Sequence, residues 1–387
     1  MSNLYFKSNL YKICSAILIR FKIRVEILKK FLRRNRYFIV QFNFTKPKKN
    51  DVLVYSKKSE KFAKILFNEK ITFYHPGLEK LNLYIIAYTI FKNGFHNLVN
   101  NYKFNFINFV KPKIVYTAMD NYIGFYKLKN IYPKAIYVSD QNAMRNISFL
   151  ETFKKIKKNN NLHTDIFFCF GKNQKEVLNK IFKSKIYALG NTINNSYKVK
   201  KIEKRKKIKK LIYISSGKYF KHELGPDINI FFKLMKYCKE KKIKLIFLDK
   251  PNRNRKKFFE NIFGKDFHYM SSESIMNSYK LIEPGEMYIF TISTFGYEIL
   301  SRGVKCVSLN HNQFNHKLKP YKNNGPFWIE APFFNYDYFK IKKKINLVKN
   351  LNNKEWQKIY KKYSSQILNY DKNNLIKKKI LYKILKN

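Results

Sequence analysis

Cysteine, acidic residues and long apolar runs are all scarce in this chain, and each shortage removes a class of protein. The four cysteines among 387 residues, Cys14, Cys169, Cys238 and Cys306, stand far apart with no CxxC pair and no metal-ligand spacing. That spacing argues against a disulfide framework and makes a reducing compartment the default. Cys169 and Cys306 fall inside apolar runs that read as buried strands, where a thiol behaves as a small hydrophobe. No run approaches the roughly 20 apolar residues that span a bilayer. The start of the chain lacks the uninterrupted apolar core of a signal peptide, because Arg20, Lys22 and Arg24 cut the stretch after Ile19.

Several motifs are missing as well. No GxGxxG follows a strand, which disfavours a dinucleotide oxidoreductase, and no GxxxxGK[ST] loop is present. The seven histidines form no HExxH and no ligand cluster. Without a paired-carboxylate motif either, no metal and no cofactor is expected. Acids number 25 against 80 basic residues, for a net charge of +55. Such an excess invites nucleic acid, anionic lipid or phosphorylated substrates. Here, however, the lysines spread over every segment, and Lys, Asn, Ile, Phe and Tyr dominate together, as AT-rich coding would produce. A nucleic-acid module concentrates its charge on one face, so the excess is read mainly as compositional and no nucleic-acid partner is expected.

What is present is material for large cores: 45% hydrophobic and 17% aromatic residues. After a basic amphipathic lead (residues 1–45), strand and helix patterns alternate. Residues 9–35 of that lead suit either an anionic membrane surface or packing on the protein's own body. Strands are expected at Asp51–Ser56, Ile71–Tyr74, Lys113–Ala118, Ala135–Ser139, Asp165–Phe170 and Lys185–Leu189. Helices are expected near Glu60–Leu66, Tyr122–Asn130 and Gln174–Phe182, with helical stretches running up to Val110. A lysine-dense polar connection (196–210) follows, and then a second βα series begins. Its strands are Leu211–Ser215, Lys244–Leu248, Phe267–Met270, Glu286–Ile292 and Lys305–Leu309. Its helices are Asp227–Lys241, Arg255–Phe263, Ser274–Leu281 and Phe295–Arg302. The organisation read from this is an N-terminal α/β domain (46–195), a linker (196–210), a C-terminal α/β domain (211–345) and a helical tail (346–387). Such alternation implies parallel sheets with helices on both faces.

In open α/β sheets, ligands bind beyond the carboxyl ends of the strands, so four loops stand out. Ser293, Thr294, Gly296 and Glu298 open a helix whose first-turn amides suit a phosphate, with Glu298 within reach of ribose hydroxyls; the alternative is an ordinary N-cap. Ser215, Ser216, Gly217 and Lys218 form a turn suited to a diphosphate, or a plain strand-to-loop turn. His222 is a further phosphate contact to consider. Asp120, with Asn121, ends a strand where a carboxylate can act as general base or simply cap the next helix. Asp140, Gln141, Asn142 and Arg145 offer amides and a guanidinium for a sugar or anionic acceptor, or else a hydrogen-bonded loop.

Together these segments resemble a known family. Asp120-Asn121 with FYKL after it, then Gln141-Asn142 and Arg145, look like a block of bacterial surface-carbohydrate (O-antigen or capsule) biosynthesis proteins. DIFFCFG at Asp165–Gly171, ALGNTINN at Ala188–Asn195 and TISTFGYEILSRG at Thr291–Gly303 continue the likeness across residues 50–310. It departs at Ala143, where the family has Gly, and at Asn191, where it has Ser. The resemblance implies a GT-B fold of two Rossmann-like domains with mainly parallel sheets facing a central cleft, distantly like polysialyltransferases and glycerophosphate transferases of wall polymers. It also implies that the C-terminal half binds a nucleotide-activated donor and the N-terminal half a glycan or lipid-linked acceptor.

On that basis Asp120, with Asp140 second, is the expected base. Ser215, Ser216, Gly217, Lys218, Ser293, Thr294, Gly296 and Glu298 are the donor candidates, and Asn121, Gln141, Asn142 and Arg145 the acceptor candidates. The expected activity is metal-independent glycosyl or sugar-phosphate transfer in the cytoplasm, compatible with peripheral contact at an anionic inner membrane. Two other readings stay open: a basic nucleic-acid-binding protein, and a noncatalytic partner in polysaccharide assembly.

Overall fold

The computed structural model of the chain describes residues 41–68, 70–76, 80–145, 151–155, 162–197, 208–215, 226–251, 255–264, 267–291, 293–311, 325–331 and 335–386. In chain order the first series runs β1 (Gln41–Asn43), β2 (Val52–Tyr55), α1 (Glu60–Leu66), β3 (Ile71–Tyr74), β4 (Lys80–Asn82), α2 (Leu83–Asn93) and α3 (Leu98–Val110). It continues with β5 (Ile114–Thr117), α4 (Ile123–Tyr126), α5 (Leu128–Ile131), β6 (Ile136–Asp140), β7 (Ile166–Cys169), α6 (Lys172–Asn179), β8 (Lys185–Ala188) and α7 (Thr192–Ser196). The second series is β9 (Lys210–Ile214), α8 (Pro226–Lys241), β10 (Lys244–Leu248), α9 (Lys256–Phe263), β11 (Tyr269–Met270), α10 (Ile275–Lys280), β12 (Met287–Phe290) and α11 (Thr294–Ser301). Strands β13 (Lys305–His311) and β14 (Trp328–Ala331) follow, with closing helices α12 (Tyr338–Asn350), α13 (Asn353–Ile367) and α14 (Leu375–Lys386).

Backbone packing separates two compact units. The smaller holds residues 41–49 and His75–Lys111. Within it β1 pairs in parallel with β4, and α2 starts directly from β4. Asn82 caps α2 by accepting from the Ile85 amide, while its own side-chain amide donates to the Thr45 carbonyl at 2.9 Å. A buried bond from the Asn105 amide to the Thr89 hydroxyl joins α3 to α2. Helix α3 stops at Lys111 in left-handed backbone, just before Pro112, which cannot continue a helix.

The larger unit contains two six-stranded sheets in which every pairing is parallel. Their strand orders are β3-β2-β5-β6-β7-β8 and β11-β10-β9-β12-β13-β14. In β2, β5, β7 and β12 every residue is buried, as expected of central strands covered on both faces. The second sheet's core contains an aromatic cluster in which Phe231, Phe247, Phe259, Phe263 and Phe267 pack ring against ring. Strand order reverses direction at β2/β5 in one sheet and at β9/β12 in the other, and these reversals are where open α/β sheets leave a crevice for ligands.

Most strand and helix expectations hold within a residue or two. The helix expected over Tyr122–Asn130 is instead the two short helices α4 and α5, interrupted at Lys127. Strands β1, β4 and β14 and helix α12 are additional to the sequence reading. Most of the expected basic lead (residues 1–40) and of the linker (198–207) lies outside the described residues. Cys169, Cys238 and Cys306 are buried free thiols, the first and last inside strands as anticipated.

The tail carries the chain back to the first sheet. The Asn369 amide donates to the Phe170 carbonyl at 2.8 Å, and the Lys113 ammonium donates to the Leu385 carbonyl at 2.7 Å. Gly190 permits this close approach: its φ is +73°, and a Cβ there would overlap the Asn369 carbonyl.

Candidate nucleotide and acceptor site

At the reversal point of the second sheet, two loops leave neighbouring strands β9 and β12. Ser215, the first residue after β9, is buried, and its hydroxyl donates to Asp227 at 2.8 Å. Tyr213 donates to the other oxygen of Asp227 at 2.7 Å. Ser215 therefore fixes the start of α8 and does not present its hydroxyl to a phosphate, which corrects the expectation for that residue. Ser216, Gly217, Lys218 and His222 lie outside the described residues.

The loop after β12 leads into α11. Ser293 occupies the N-cap position, where its carbonyl accepts from the Gly296 amide at 3.1 Å but its side chain makes no capping bond. Ser293 and Thr294 are both half-buried, neither sealed by packing nor fully solvated. Gly296 and Glu298 depart from expectation. Gly296 is buried against Phe290, whose ring a Cβ would overlap, so this glycine serves helix-to-strand packing and not approach to a ligand. Glu298 is buried and accepts from the Tyr279 hydroxyl at 2.6 Å. Burial raises its carboxyl to about 7, against smaller downward pulls from Tyr279 and Arg302. It is not open to ribose hydroxyls.

On the first sheet the candidate loops follow β5 and β6. Asp120 is 1% exposed and does not cap a helix. Arg145 grips both its oxygens, with Nε donating to Oδ2 at 2.7 Å and Nη2 to Oδ1. Arg145 Nη2 also donates to the Asn142 side-chain oxygen at 2.7 Å. Burial pushes the Asp120 carboxyl above the usual range, and the Arg145 charge only partly offsets that. With both oxygens taken, Asp120 is a positioning group for Arg145 and Asn142 in this arrangement, not an open general base. Asn121 beside it is exposed.

Asp140 is further from the expected role. It is wholly buried and accepts from Tyr116 at 3.0 Å, from Thr192, and from the Lys377 ammonium at 2.9 Å. Lys377 is equally buried and also donates to the Gly190 carbonyl at 2.8 Å. This pair fastens α14 to the first sheet, so Asp140 cannot meet an acceptor. Gln141 is also structural: its amide nitrogen donates to the Ala143 carbonyl at 2.9 Å, and its oxygen receives the Phe170 amide at 3.0 Å. The two departures from the family pattern are accommodated locally. Ala143 does not adopt positive φ, so nothing there demands glycine, and Asn191 caps α7 by accepting from the Ile193 and Asn194 amides.

The structure brings the two sets of loops together. The Met144 amide donates to the Thr294 hydroxyl oxygen at 3.1 Å, joining the loop after β6 to the opening turn of α11. Having accepted this bond, the Thr294 hydroxyl keeps its own proton to donate. At the other end of α11, Arg302 donates to the side-chain and backbone oxygens of Asn194, and Asn194 donates to Ser301 at 3.1 Å. The Arg302 guanidinium lies over the rings of Tyr279, 5.0 Å away, and Tyr370, 5.9 Å away. Sequence reasoning missed this second clamp. Its only linear trace is the NN of ALGNTINN together with the SRG that ends the later block.

A family model described as "putative O-antigen biosynthesis protein" matches residues 138–385. The chain belongs to this family. The matched span includes Asp140–Arg145, the α7 cap and all of α11, whereas Asp120 and Asn121 fall outside it. No curated protein matches the sequence.

Among solved structures, a "putative UDP-N-acetylglucosamine 2-epimerase" from Listeria monocytogenes is similar, with 13% identity over 81% of this chain and 91% of its own and a TM-score of 0.50. The wall teichoic acid polymerase TagF, in a crystal soaked with CDPG, is 11% identical over 100% of this chain and 98% of its own, with a TM-score of 0.49. At its identity the likeness to the epimerase is one of fold, and it accords with the GT-B-like α/β architecture expected from the sequence. Among the described residues, no helix of this O-antigen family member is long and apolar enough to cross a membrane.

Proposed function

We propose that this protein transfers a sugar, or a sugar-like phosphate unit, from a nucleotide-activated donor to a glycan or lipid-linked acceptor in O-antigen-type polysaccharide synthesis. The observation that carries the reading is the hydrogen bond from Met144 to Thr294. It sets the acceptor-side loop against a helix start at the reversal point of the second sheet, where the N-cap side chain makes no bond to the first-turn amides. In this reading the donor diphosphate lies at that helix end, held by backbone N–H groups and the Ser293 and Thr294 hydroxyls. The partial positive charge of the helix terminus stabilises the diphosphate as it leaves. Arg145, placed by Asp120, sits one residue from the contact and orients the acceptor. The N-terminal and C-terminal sheets then serve as acceptor and donor sides of one cleft.

Incubation with a panel of nucleotide sugars, followed by mass spectrometry, tests this directly. One donor should release its nucleotide faster with protein than without, and EDTA should leave that rate unchanged. Release that is abolished by EDTA and restored by a divalent cation would overturn the metal-independent form of the reading. A second reading is favoured by one observation, the full engagement of both Asp120 and Asp140: a donor-binding protein without transfer activity. It predicts nucleotide binding with no release from any donor.

A further inference from the structure

We infer that the outer face of α2, in the smaller unit, is a docking surface for an anionic lipid bilayer. Tyr84, Ala87, Tyr88 and Phe91 fall on one face at helical spacing, while Ile85 and Thr89 point inward and are buried. Phe91 is 92% exposed and Tyr84 37% exposed. The face continues onto α3: the Phe109 ring meets Tyr84 edge-on at 5.6 Å and Tyr88 at 4.8 Å. Two cations border it, Lys46 with its ammonium 5.5 Å from the Phe109 ring and Lys92 with its ammonium 5.8 Å from the Tyr88 ring. The result is a convex strip of aromatic rings flanked by lysines.

Three features select a bilayer over other partners. A phenylalanine held almost wholly in water at the end of an aromatic strip is unfavourable, and the interface of a membrane removes that cost. The sequence of residues 41–49 and 75–111 has seven lysines and one acid, Glu79, which complements a negative lipid surface. A convex helix face also offers no groove for a nucleic-acid strand. Tyrosines beside lysines are also the residues that settle at a headgroup boundary.

Because the whole chain is basic, general vesicle binding would not locate the face, so the test is site-specific. Phe91→Trp is compared with Phe258→Trp, a second exposed phenylalanine in the larger unit. Both are mixed with vesicles of phosphatidylcholine and phosphatidylglycerol carrying brominated acyl chains. The inference predicts a blue-shifted, bromine-quenched signal for the Phe91→Trp variant, above the two native tryptophans, and no added quenching for Phe258→Trp. It also predicts that Phe91→Ser lowers partitioning onto these vesicles about 10-fold, or roughly 1.4 kcal/mol, with an unchanged melting temperature. Equal quenching at both positions, or none at position 91, overturns the inference. Quenching at position 91 by a single-stranded oligonucleotide but not by brominated lipid assigns the face to nucleic acid and overturns it as well. Nucleotide binding is read separately, so this result does not depend on the transferase reading.

Discussion

A lysine and an aspartate, both without access to water, tie the last helix of the larger unit to its first sheet. Lys377 reaches Asp140 across 237 positions of sequence, and each is also hydrogen-bonded to neighbouring oxygens or hydroxyls. Removing one partner strands the other charge, so Lys377→Met should lower unfolding stability by about 3–5 kcal/mol in urea titrations. The double variant Lys377→Met with Asp140→Asn should recover part of that loss. Glu298 makes a different prediction. Its carboxyl moves from an unfolded value of 4.5 up to about 7 in the fold. The stability from that shift is fully present below pH 4.5 and is lost as pH rises through 7, a swing of about 3 kcal/mol at full effect. Glu298→Gln should therefore stabilise the protein relative to wild type at pH 8 and gain little at pH 5, as followed by melting temperature across pH. At this scale the sequence shows which residues lie at strand ends but not whether they are open. Asp120, Asp140, Gln141 and Ser215 all sit at a carboxyl edge, as expected. What closes them off is a partner from elsewhere, Arg145, Lys377, Phe170 and Asp227 respectively, and no local pattern announces such pairings.

At the level of elements, α11 is the piece on which the site turns. Its first turn takes a hydrogen bond from Met144 and its last turn is clamped to α7, so one short helix is tied to the first sheet at both ends. Gly296 lets it lie flat on β12, and Gly296→Ala should cost about 1–3 kcal/mol through overlap with the Phe290 ring. Adding Phe290→Leu should relieve part of this, measured by chemical denaturation. Elements were the most legible feature of the sequence. Runs such as VLVY and MYIF announce buried parallel strands by unbroken apolar character. Strand β4 has only three residues, and its polar KLN run carries no such signal. Helix α12 hides its apolar stripe of Ile341, Ile345 and Val348 among five lysines. The expected helix over 122–130 is split at Lys127 into two short helices, and Gly124 inside the first of them weakens helical continuity.

On the scale of the molecule, alternating patterns with a polar interruption near residue 200 foretold two parallel sheets, and the strand orders place a reversal point in each. What the sequence could not give was which carboxyl-edge loops of the two sheets meet, because that depends on how the sheets pack. The Met144–Thr294 bond answers it in structure. The central claim, that a nucleotide diphosphate rests at the start of α11, is tested most directly by calorimetric titration of CMP, CDP and UDP into wild type and into the Ser293→Ala, Thr294→Val double variant. The account predicts measurable binding of at least one nucleotide and a loss of about 10-fold or more in the variant, since hydrogen bonds to charged groups contribute about 1.5–3 kcal/mol each. Binding of none of them to wild type, or affinity unchanged by the double variant, would contradict it.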